Sequence, residues 1–406
     1  MFKTGITVLL RGARHLRLNV CTRSRVVFSD VRQFHTSPRR QIPPIFLIIV
    51  KPIVKIGAAL TGRGVRKWWQ RLPSEEKRSI WTRVKQSWPV FAVMGGAGVS
   101  WAWYYYKSHM VATPITNRKR FMMFTHDQMM KISKARAQLE LDRYEGLLIP
   151  VEHPAFQKIL KIATRLVESN DDLMQMDVDK WRISVIDSPE VNAFVVPHGH
   201  IFVFMGMTKV ARNEDQMAII LGHEMAHTLL SHAAENMSVA QLFDVAIITV
   251  MGAIWTIMPN DGIALVTQWF YHKVLDILLC LPYSRKLEKE ADKVGLQLAA
   301  RACYDVREGS VVWKRFQIRE DFGNEEKTPE WLSTHPANLK RAEHLDFLVP
   351  EAIKLRASCN CKPLPTDDPR HQHKMLQQYA DDRKIAMKAG QDLRLVTKKG
   401  PSSSTL

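Results

Sequence analysis

Two histidines separated by four positions flank a glutamate in the run His223-Glu224-Met225-Ala226-His227. On a helix, side chains four positions apart lie on one face, so both imidazoles can bind a single metal ion. The glutamate would then lie beside the metal, where it can take a proton from a water molecule that attacks a peptide bond. This HExxH spacing predicts the chemistry of a zinc-dependent peptidase.

The residues before the motif predict the helix that must carry it. Asn213 is a favourable N-cap, Glu214 and Asp215 make the first turn acidic, and Gln216 gives a pattern like a capping box. Apolar residues follow at helical spacing, namely Met217, Ile220, Leu221, Met225 and Leu229. The alternative, a core helix whose histidines only make hydrogen bonds, is weaker because a buried glutamate without a partner is costly.

A catalytic zinc site also needs a third protein ligand. The metzincin pattern would require a histidine ten positions after His223, where Ala233 stands, so that class is excluded. The best candidates lie on a second amphipathic helix, where Glu288 would bind the metal and Asp292 would accept a hydrogen bond from a ligand imidazole. Glu290 points to the other side and is interpreted as a solvated partner of nearby lysines. The alternative for these acids is an ordinary charged helix surface.

Short strands are predicted just before the HExxH helix, after helical spacing over residues 125–180. Alternating and apolar patterns indicate a meander of three strands at 181–186, 193–196 and 201–204. In a metalloprotease the edge of such a sheet can pair with an extended substrate. His198 and His200 stand between the last two strands and are interpreted as solvent-facing turn residues. These elements predict an α+β fold that is mainly helical.

The N-terminal residues 1–41 carry nine basic residues and one acid, Asp30, among many Ser and Thr. This composition is typical of a mitochondrial transit peptide, cleaved near Gln41; a disordered basic tail is the alternative. Elsewhere no zinc finger or basic stripe with interleaved aromatic residues accompanies the net charge of +18. Nucleic acid is therefore not an expected partner.

Residues 88–106 contain no charged side chain and have aromatic residues at both ends, which predicts one transmembrane helix in a lipid bilayer. Basic residues are more numerous before this span than after it. The positive-inside rule therefore places the N-terminus and the basic segment 42–87 in the matrix, and the catalytic domain in the intermembrane space. The first part of that segment, 42–60, is interrupted by Lys and Pro and is interpreted as interfacial. A second apolar region, 245–281, either dips into the membrane or forms a buried helical pair.

Few cysteines remain after the transit peptide, and their spacing does not fit a structural zinc site. A disulfide between Cys303 and either Cys359 or Cys361 would tie the C-terminal tail, 351–406, to the peptidase domain, 107–350, in an oxidising compartment. Free buried thiols are an equal alternative.

Taken together, the HExxH helix and the run Glu288-Lys-Glu-Ala-Asp292 resemble the integral-membrane gluzincins related to the CAAX prenyl endopeptidases, whose pattern is HExxH followed by ExxxD. The combination of these motifs with a transit peptide and one span resembles the mitochondrial inner-membrane branch of these peptidases, whose activity overlaps that of the m-AAA protease. The resemblance covers about residues 110–365 and implies one zinc ion per chain, with Glu288 as its third ligand. It also implies that His335 and Arg341 face the site and stabilise the oxyanion. The alternatives are a helix-cap residue and a structural ion pair, respectively.

The function that this resemblance implies is a zinc endopeptidase that cleaves membrane-tethered inner-membrane proteins on the intermembrane-space side. Its expected substrates include the dynamin-like fusion GTPase, processed under stress. A catalytically silent zinc-binding scaffold or chaperone is the alternative, although the intact Glu224 argues against it. A prenyl-protein endopeptidase would need many spans and is disfavoured. Whether the protein forms a homo-oligomer is left open.

Overall fold

The computed structural model describes the chain in several stretches: residues 8–9, 44–174, 181–275, 279, 281–322, 335, 339–371 and 378. The predicted transit peptide lies outside them except for two residues, and so do Cys280 and the chain after residue 378. The described part is mainly helical with two small sheets, which confirms the predicted fold class.

Twelve helices are defined in the described part and are labelled in chain order. They are α1 Pro44–Arg71, α2 Ser74–Gln86, α3 Trp88–Ser108, α4 His126–Arg143, α5 Pro154–Glu168, α6 Asp171–Met174, α7 Glu214–Leu229, α8 His232–Ile257, α9 Asp261–Leu275, α10 Leu281–Arg301, α11 Glu308–Phe322 and α12 Leu339–Ser358. The strands are β1 Val8–Leu9, β2 Met110–Ala112, β3 Lys119–Phe121, β4 Arg182–Ile186, β5 Ala193–Val196 and β6 His200–Phe204.

The chain forms two compact units that are interleaved along the sequence. The first unit comprises Met1–Val26, Leu139–Leu229 and Lys289–Leu406, and the second comprises Val27–Gln138 and Leu230–Glu288. Helix α10 is continuous and contributes residues to both units.

The first unit contains a four-stranded sheet in the order β1-β4-β6-β5. The three predicted strands are present, but the predicted meander is wrong, because β6 lies between β4 and β5, parallel to the former and antiparallel to the latter. All residues of β6 are buried, whereas Phe194 and Val195 of β5 are half-buried. A strand such as β6, in which every residue after His200 is apolar, is stable in the centre of a sheet, where both of its faces are covered.

The turn between β5 and β6 buries both of its histidines, contrary to the expected exposure. Gly199 has φ 86°, which closes the chain tightly, and His200 is only 1% exposed. Its ring stacks on Phe202, and its Nε2 lies 2.9 Å from the Ser184 hydroxyl. Burial, aided by the charges of His198 and Arg182, lowers the pKa of His200 to about 3. It is therefore a neutral core residue at physiological pH.

Helices α7 and α10 cross at a pair of glycines in the first unit. A Cβ added to Gly222 would lie 2.8 Å from the carbonyl oxygen of Gly295. A Cβ added to Gly295 would lie 2.7 Å from both the amide nitrogen and the Cα of His223. No side chain fits in this space, so the two backbones are in direct contact beside the first histidine of the motif.

The C-terminal part of the first unit differs from the expected boundary at residue 350. Helix α12 contains Pro350 and continues to Ser358, so the predicted tail begins inside a helix. Cys303 and Cys361 form a disulfide with Cα atoms 5.3 Å apart, while Cys359 is buried outside it. Arg356 donates hydrogen bonds to the carbonyl oxygens of Tyr304 and Cys303, which holds the end of α12 against the same loop.

The second unit contains the predicted membrane region. Residues 88–106 lie in α3, a 21-residue helix with no buried residue. Among the described residues, one helix is long and apolar enough by composition to cross a membrane, and it is α8. Helix α3 is not identified as such a helix, so its role as a span stays a prediction.

We expect Gly295→Val to lower the stability of the protein, because the new side chain must push α10 away from the backbone of α7. Overpacking of this kind costs about 1–3 kcal/mol. The matched control is Gly146→Val, since Gly146 has no atom within 4 Å of an added Cβ. Thermal unfolding of the purified proteins in detergent measures the effect, and equal midpoints for the two variants would contradict the close crossing.

Candidate metal centre and active site

Four side chains converge with one potential ligand atom each. His223 and His227 come from α7, Glu288 from α10, and His335 from the segment before α12; these atoms all lie within 4.8 Å of one another. The two Nε2 atoms of His223 and His227 are 3.1 Å apart, and His335 Nδ1 is 3.3 Å from His223 Nε2. The structure thus brings together the three predicted ligands and one predicted catalytic residue.

This donor set fits a divalent metal. Nitrogen ligands at about 2.0–2.1 Å from a tetrahedral zinc ion lie about 3.3 Å from one another. The separations of 3.1 and 3.3 Å match that value. Imidazole and carboxylate are also the donors that zinc prefers, alongside thiolate. Three imidazoles and a carboxylate that converge at these separations therefore fit a metal centre.

The start of α7 is fixed by the residues that the sequence pattern indicated. Asn213 Oδ1 accepts a hydrogen bond from the backbone amide of Gln216 at 2.8 Å, which is an N-cap contact. The side chains of both residues also donate to Glu308. The helix ends at Leu229, because Ser231 has a left-handed backbone conformation with φ 52°.

Because of that break, Glu235 lies on α8, a helix separate from the one that carries His223 and His227. Its carboxylate accepts hydrogen bonds from Arg118 at 2.6 and 2.7 Å and from the hydroxyl of Tyr283. Glu235 therefore takes part in a buried cluster of the second unit and is not a ligand.

Asp292 supports the first histidine from behind. Its Oδ1 is 3.0 Å from His223 Nδ1, and its two carboxylate oxygens accept hydrogen bonds from Arg341 at 2.7 and 2.9 Å. Burial alone would raise the pKa of Asp292, but the charge of Arg341 and the hydrogen bond from His223 outweigh it and bring the pKa to about 2. The ionised carboxylate keeps the proton of His223 on Nδ1 and leaves Nε2 free to bind metal.

The guanidinium of Arg341 is held by the carboxylate of Asp292 and is not exposed to solvent. Its guanidinium also stacks on the ring of Trp313 at 3.5 Å, and it is 4% exposed. This arrangement matches the structural ion pair that was the alternative to a catalytic role. The same Trp313 lies edge-on to His223, with ring centroids 5.8 Å apart. Sequence reasoning missed Trp313, because nothing in the pattern around it points to the metal site.

Glu224 and His335 face each other beside the metal ligands. His335 Nε2 is 3.5 Å from Glu224 Oε1, and Glu224 is 3% exposed. The residues on either side of His335 lie outside the described part. Glu290 is half-buried on α10 and is not part of the donor cluster. Glu224 is not among the converging donors, so its carboxylate, together with the neighbouring imidazole of His335, can transfer a proton next to the metal.

Comparison with known proteins gives the family. Residues 156–349 match peptidase family M48. A protein named metalloendopeptidase OMA1, mitochondrial, from Bos taurus is 38% identical over 371 residues, which are 89% of this chain and 71% of the relative. This chain belongs to peptidase family M48. Its OMA1 relatives extend to Danio rerio, 38% identical with 91% of this chain and 75% of the relative covered, and to Saccharomyces cerevisiae, 30% identical with 64% and 75% covered.

Membership confirms the resemblance inferred from the motifs. The M48 protein described here is a mitochondrial metalloendopeptidase, and all four converging donors and Glu224 fall inside the matched residues 156–349. The chain spans between 65% and 75% of the length of the three vertebrate OMA1 relatives it matches.

The third ligand can be tested by metal content. We expect Glu288→Ala to lose most of the bound metal, because it removes one of the three ligands, His223, His227 and Glu288, and the only carboxylate among the converging donors. Glu290→Ala is the control, since it removes an acid from the same helix but outside the donor cluster. Elemental analysis of the purified full-length proteins gives the ratio of metal to protein, and loss of metal in the control alone would reverse the assignment.

Arg341 can be tested in a way that separates its two roles. If the guanidinium holds Asp292, Arg341→Met should weaken metal binding about 10- to 100-fold, as for other residues behind a ligand. Lys340→Met is the control, because Lys340 is the exposed neighbour on α12. Competition with a chelator measures the affinity. An unchanged affinity combined with a lower kcat would instead support the oxyanion role.

Proposed function

We propose that this M48 protein is a zinc endopeptidase of the mitochondrial inner membrane, and that it cleaves membrane-tethered proteins on the intermembrane-space side. The observation that carries the proposal is the position of Glu224, a buried acid beside four converging metal donors. A site that binds metal only for structure has no use for an extra carboxylate at this place.

The residues divide into ligands and proton carriers. His223, His227 and Glu288 would hold zinc, which when bound supplies Lewis-acid polarisation of the peptide carbonyl and activation of water near neutral pH. Glu224 takes the proton of the attacking water and later gives it to the leaving amine. His335, 3.5 Å from Glu224, is positioned to donate a hydrogen bond to the negative oxygen that forms as the carbonyl is attacked.

The substrate would bind as an extended strand. β5 lies at the edge of the sheet in the first unit, and α7 packs against it. Among the described strands, β5 pairs only with β6, so its outer edge presents backbone amide and carbonyl groups in a row, which pair with any extended polypeptide regardless of its sequence. This mode of binding suits an endopeptidase that acts on unfolded or flexible segments next to a membrane.

The mitochondrial location follows from the relatives, and the membrane assignment rests on composition. Helix α3 would anchor the chain, with the basic residues of 61–87 on the matrix side and the metal centre on the other side. The family resemblance adds the expected substrates, inner-membrane proteins with exposed segments such as the dynamin-like fusion GTPase, and activation under stress. The basic stretch would lie against the anionic membrane surface.

Replacement of one oxygen tests the mechanism. Glu224→Gln should lower the rate of peptide cleavage by about 10²- to 10⁴-fold, since the amide cannot carry the proton. It should keep its metal, because Glu224 is not a ligand. Glu214→Gln, an exposed position at the start of the same helix, is the control. Cleavage products of candidate inner-membrane proteins are mapped by mass spectrometry.

Two results would overturn the proposal in different ways. Cleavage that persists in Glu224→Gln at the rate of the control would contradict the proton-transfer role. A wild-type protein that retains zinc but cleaves no inner-membrane protein, in mitochondria with or without loss of membrane potential, would favour the zinc-binding scaffold instead.

A further inference from the structure

Helices α1 and α8 of the second unit lie side by side and run in the same direction. Lys51 and Lys55, in the first half of α1, both pair with Asp244 at the middle of α8, at 2.6 and 2.8 Å. Near their ends, Arg66 donates a hydrogen bond of 3.0 Å to the carbonyl oxygen of Met258. Earlier residues of α1 contact earlier residues of α8, and later residues contact later ones. The two helices are therefore parallel.

A close backbone contact lies between these two polar layers. A Cβ added to Gly62 would be 2.6 Å from the carbonyl oxygen of Gly252. Small residues that let helices approach closely are typical of helix pairs within membranes, where packing replaces the hydrophobic effect as the driving force. The pair α1 and α8 is therefore built like a membrane helix pair.

The outer faces of these helices are apolar and exposed. On α1 they include Ile53, Ile56 and Leu60, each more than 60% exposed, and Val245 and Ile257 of α8 are similarly open. Helix α9 exposes Leu265, Val266, Trp269 and Phe270. An apolar surface of this extent, shared by three helices, needs a covering of hydrocarbon.

Charged pairs limit the apolar surface at both ends. From Lys51 to Arg66 the rise along α1 is about 22 Å. This is less than the hydrocarbon core of about 30 Å, and a short apolar span is accommodated by local thinning of the bilayer. At the far end, Arg63 and Arg66 both pair with Asp261, the first residue of α9. Trp68 is exposed in the next turn, as expected at a membrane–water boundary.

The remaining elements of this unit can be assigned to one or the other end of the α1–α8 pair. Helix α9 returns along α8, since Trp255 Nε1 donates to Gln268 Oε1 at 2.7 Å. Helix α3 ends where Tyr106 stacks on Phe121 of β3, with ring centroids 5.5 Å apart. Arg118, just before β3, pairs with Glu235 in the first turn of α8. The end of α3 and the start of α8 therefore lie at one end of the unit, opposite the Asp261 turn.

We propose that α1 is inserted in the lipid bilayer as the parallel partner of α8, so that the start of α1 lies on the same side of the membrane as the β2–β3 hairpin. The chain then enters the bilayer in α1, turns through the basic helix α2 on the opposite side, and returns in α3. This rests on the proposed membrane location. It differs from the expectation of a single span with the N-terminus in the matrix. The excess of basic residues before 88–106 lies in α2 and the end of α1, so the positive-inside rule does not require the start of α1 to be in the matrix as well.

The test compares three introduced cysteines in the full-length protein in mitochondria. Ile45→Cys lies in the first turn of α1, Lys119→Cys is exposed on β3, and Ser79→Cys is exposed on α2. The background carries Cys280→Ser and Cys359→Ser, which leaves only the disulfide-bonded cysteines after the transit peptide. A membrane-impermeant maleimide is applied to mitoplasts, before and after the inner membrane is opened with detergent.

We expect position 45 to react together with position 119, and position 79 only after detergent. Reaction of position 45 together with position 79 would overturn the proposal. If positions 45 and 119 both react only after detergent while 79 reacts in mitoplasts, the parallel pair stands and the orientation proposed for the peptidase fails. The two proposals are thus tested separately by one experiment.

The helix contact itself has a matched pair of variants. Gly62→Leu should separate α1 from α8, whereas Gly64→Leu is the control because an added Cβ there meets no atom within 4 Å. Both substitutions raise helix propensity equally. For the protein in lipid nanodiscs, we expect the unfolding midpoint of Gly62→Leu to be lower than that of the control by about 4 °C or more. Equal midpoints would contradict the pairing of α1 with α8.

Discussion

The contact between the backbones of α7 and α10 at Gly222 and Gly295 is the constraint on which the metal centre depends. His223 follows one of these glycines directly, and Asp292 precedes the other by three residues on α10. With side chains at the crossing, the helices would lie farther apart, and the 3.0 Å contact between His223 Nδ1 and Asp292 Oδ1 could not form. The distance from histidine to aspartate is thus set by the absence of two Cβ atoms.

Asp292 in turn connects His223 to Arg341 and Trp313. A carboxylate that is 2% exposed is costly to ionise unless positive charge and hydrogen bonds compensate. Arg341 supplies both, and its own charge is placed over the face of Trp313 at 3.5 Å. His223, Asp292, Arg341 and Trp313 form a chain of contacts in which each member fixes the orientation of the next. The orientation of the first ligand is therefore determined before any metal binds.

The sequence could predict what depends on local spacing and not what depends on pairing across distance. Periodicity located α7, β4 and the Glu288–Asp292 face, because each is a property of neighbouring residues. The strand order was wrong, because only the burial of both faces of β6 places it in the centre. The partnership of Arg341 with Asp292 joins residues 49 positions apart, and no local pattern encodes it. For the same reason Trp313 was missed.

The parallel pairing of α1 with α8 illustrates the same limit in the membrane region. Lys51, Lys55 and Pro52 interrupt the apolar run, and read alone they favour a helix lying on the membrane surface. Asp244 changes that interpretation, since a shared carboxylate partner makes two half-buried lysines tolerable at membrane depth.

Glu235 shows how this region can bear on catalysis. It stands in the first turn of α8 and accepts a hydrogen bond from Tyr283, which lies on α10 five residues before Glu288. The helix that carries the third metal ligand is therefore tied at its start to the helix that we place in the bilayer. A change in how α8 sits in the membrane would act first on the start of α10.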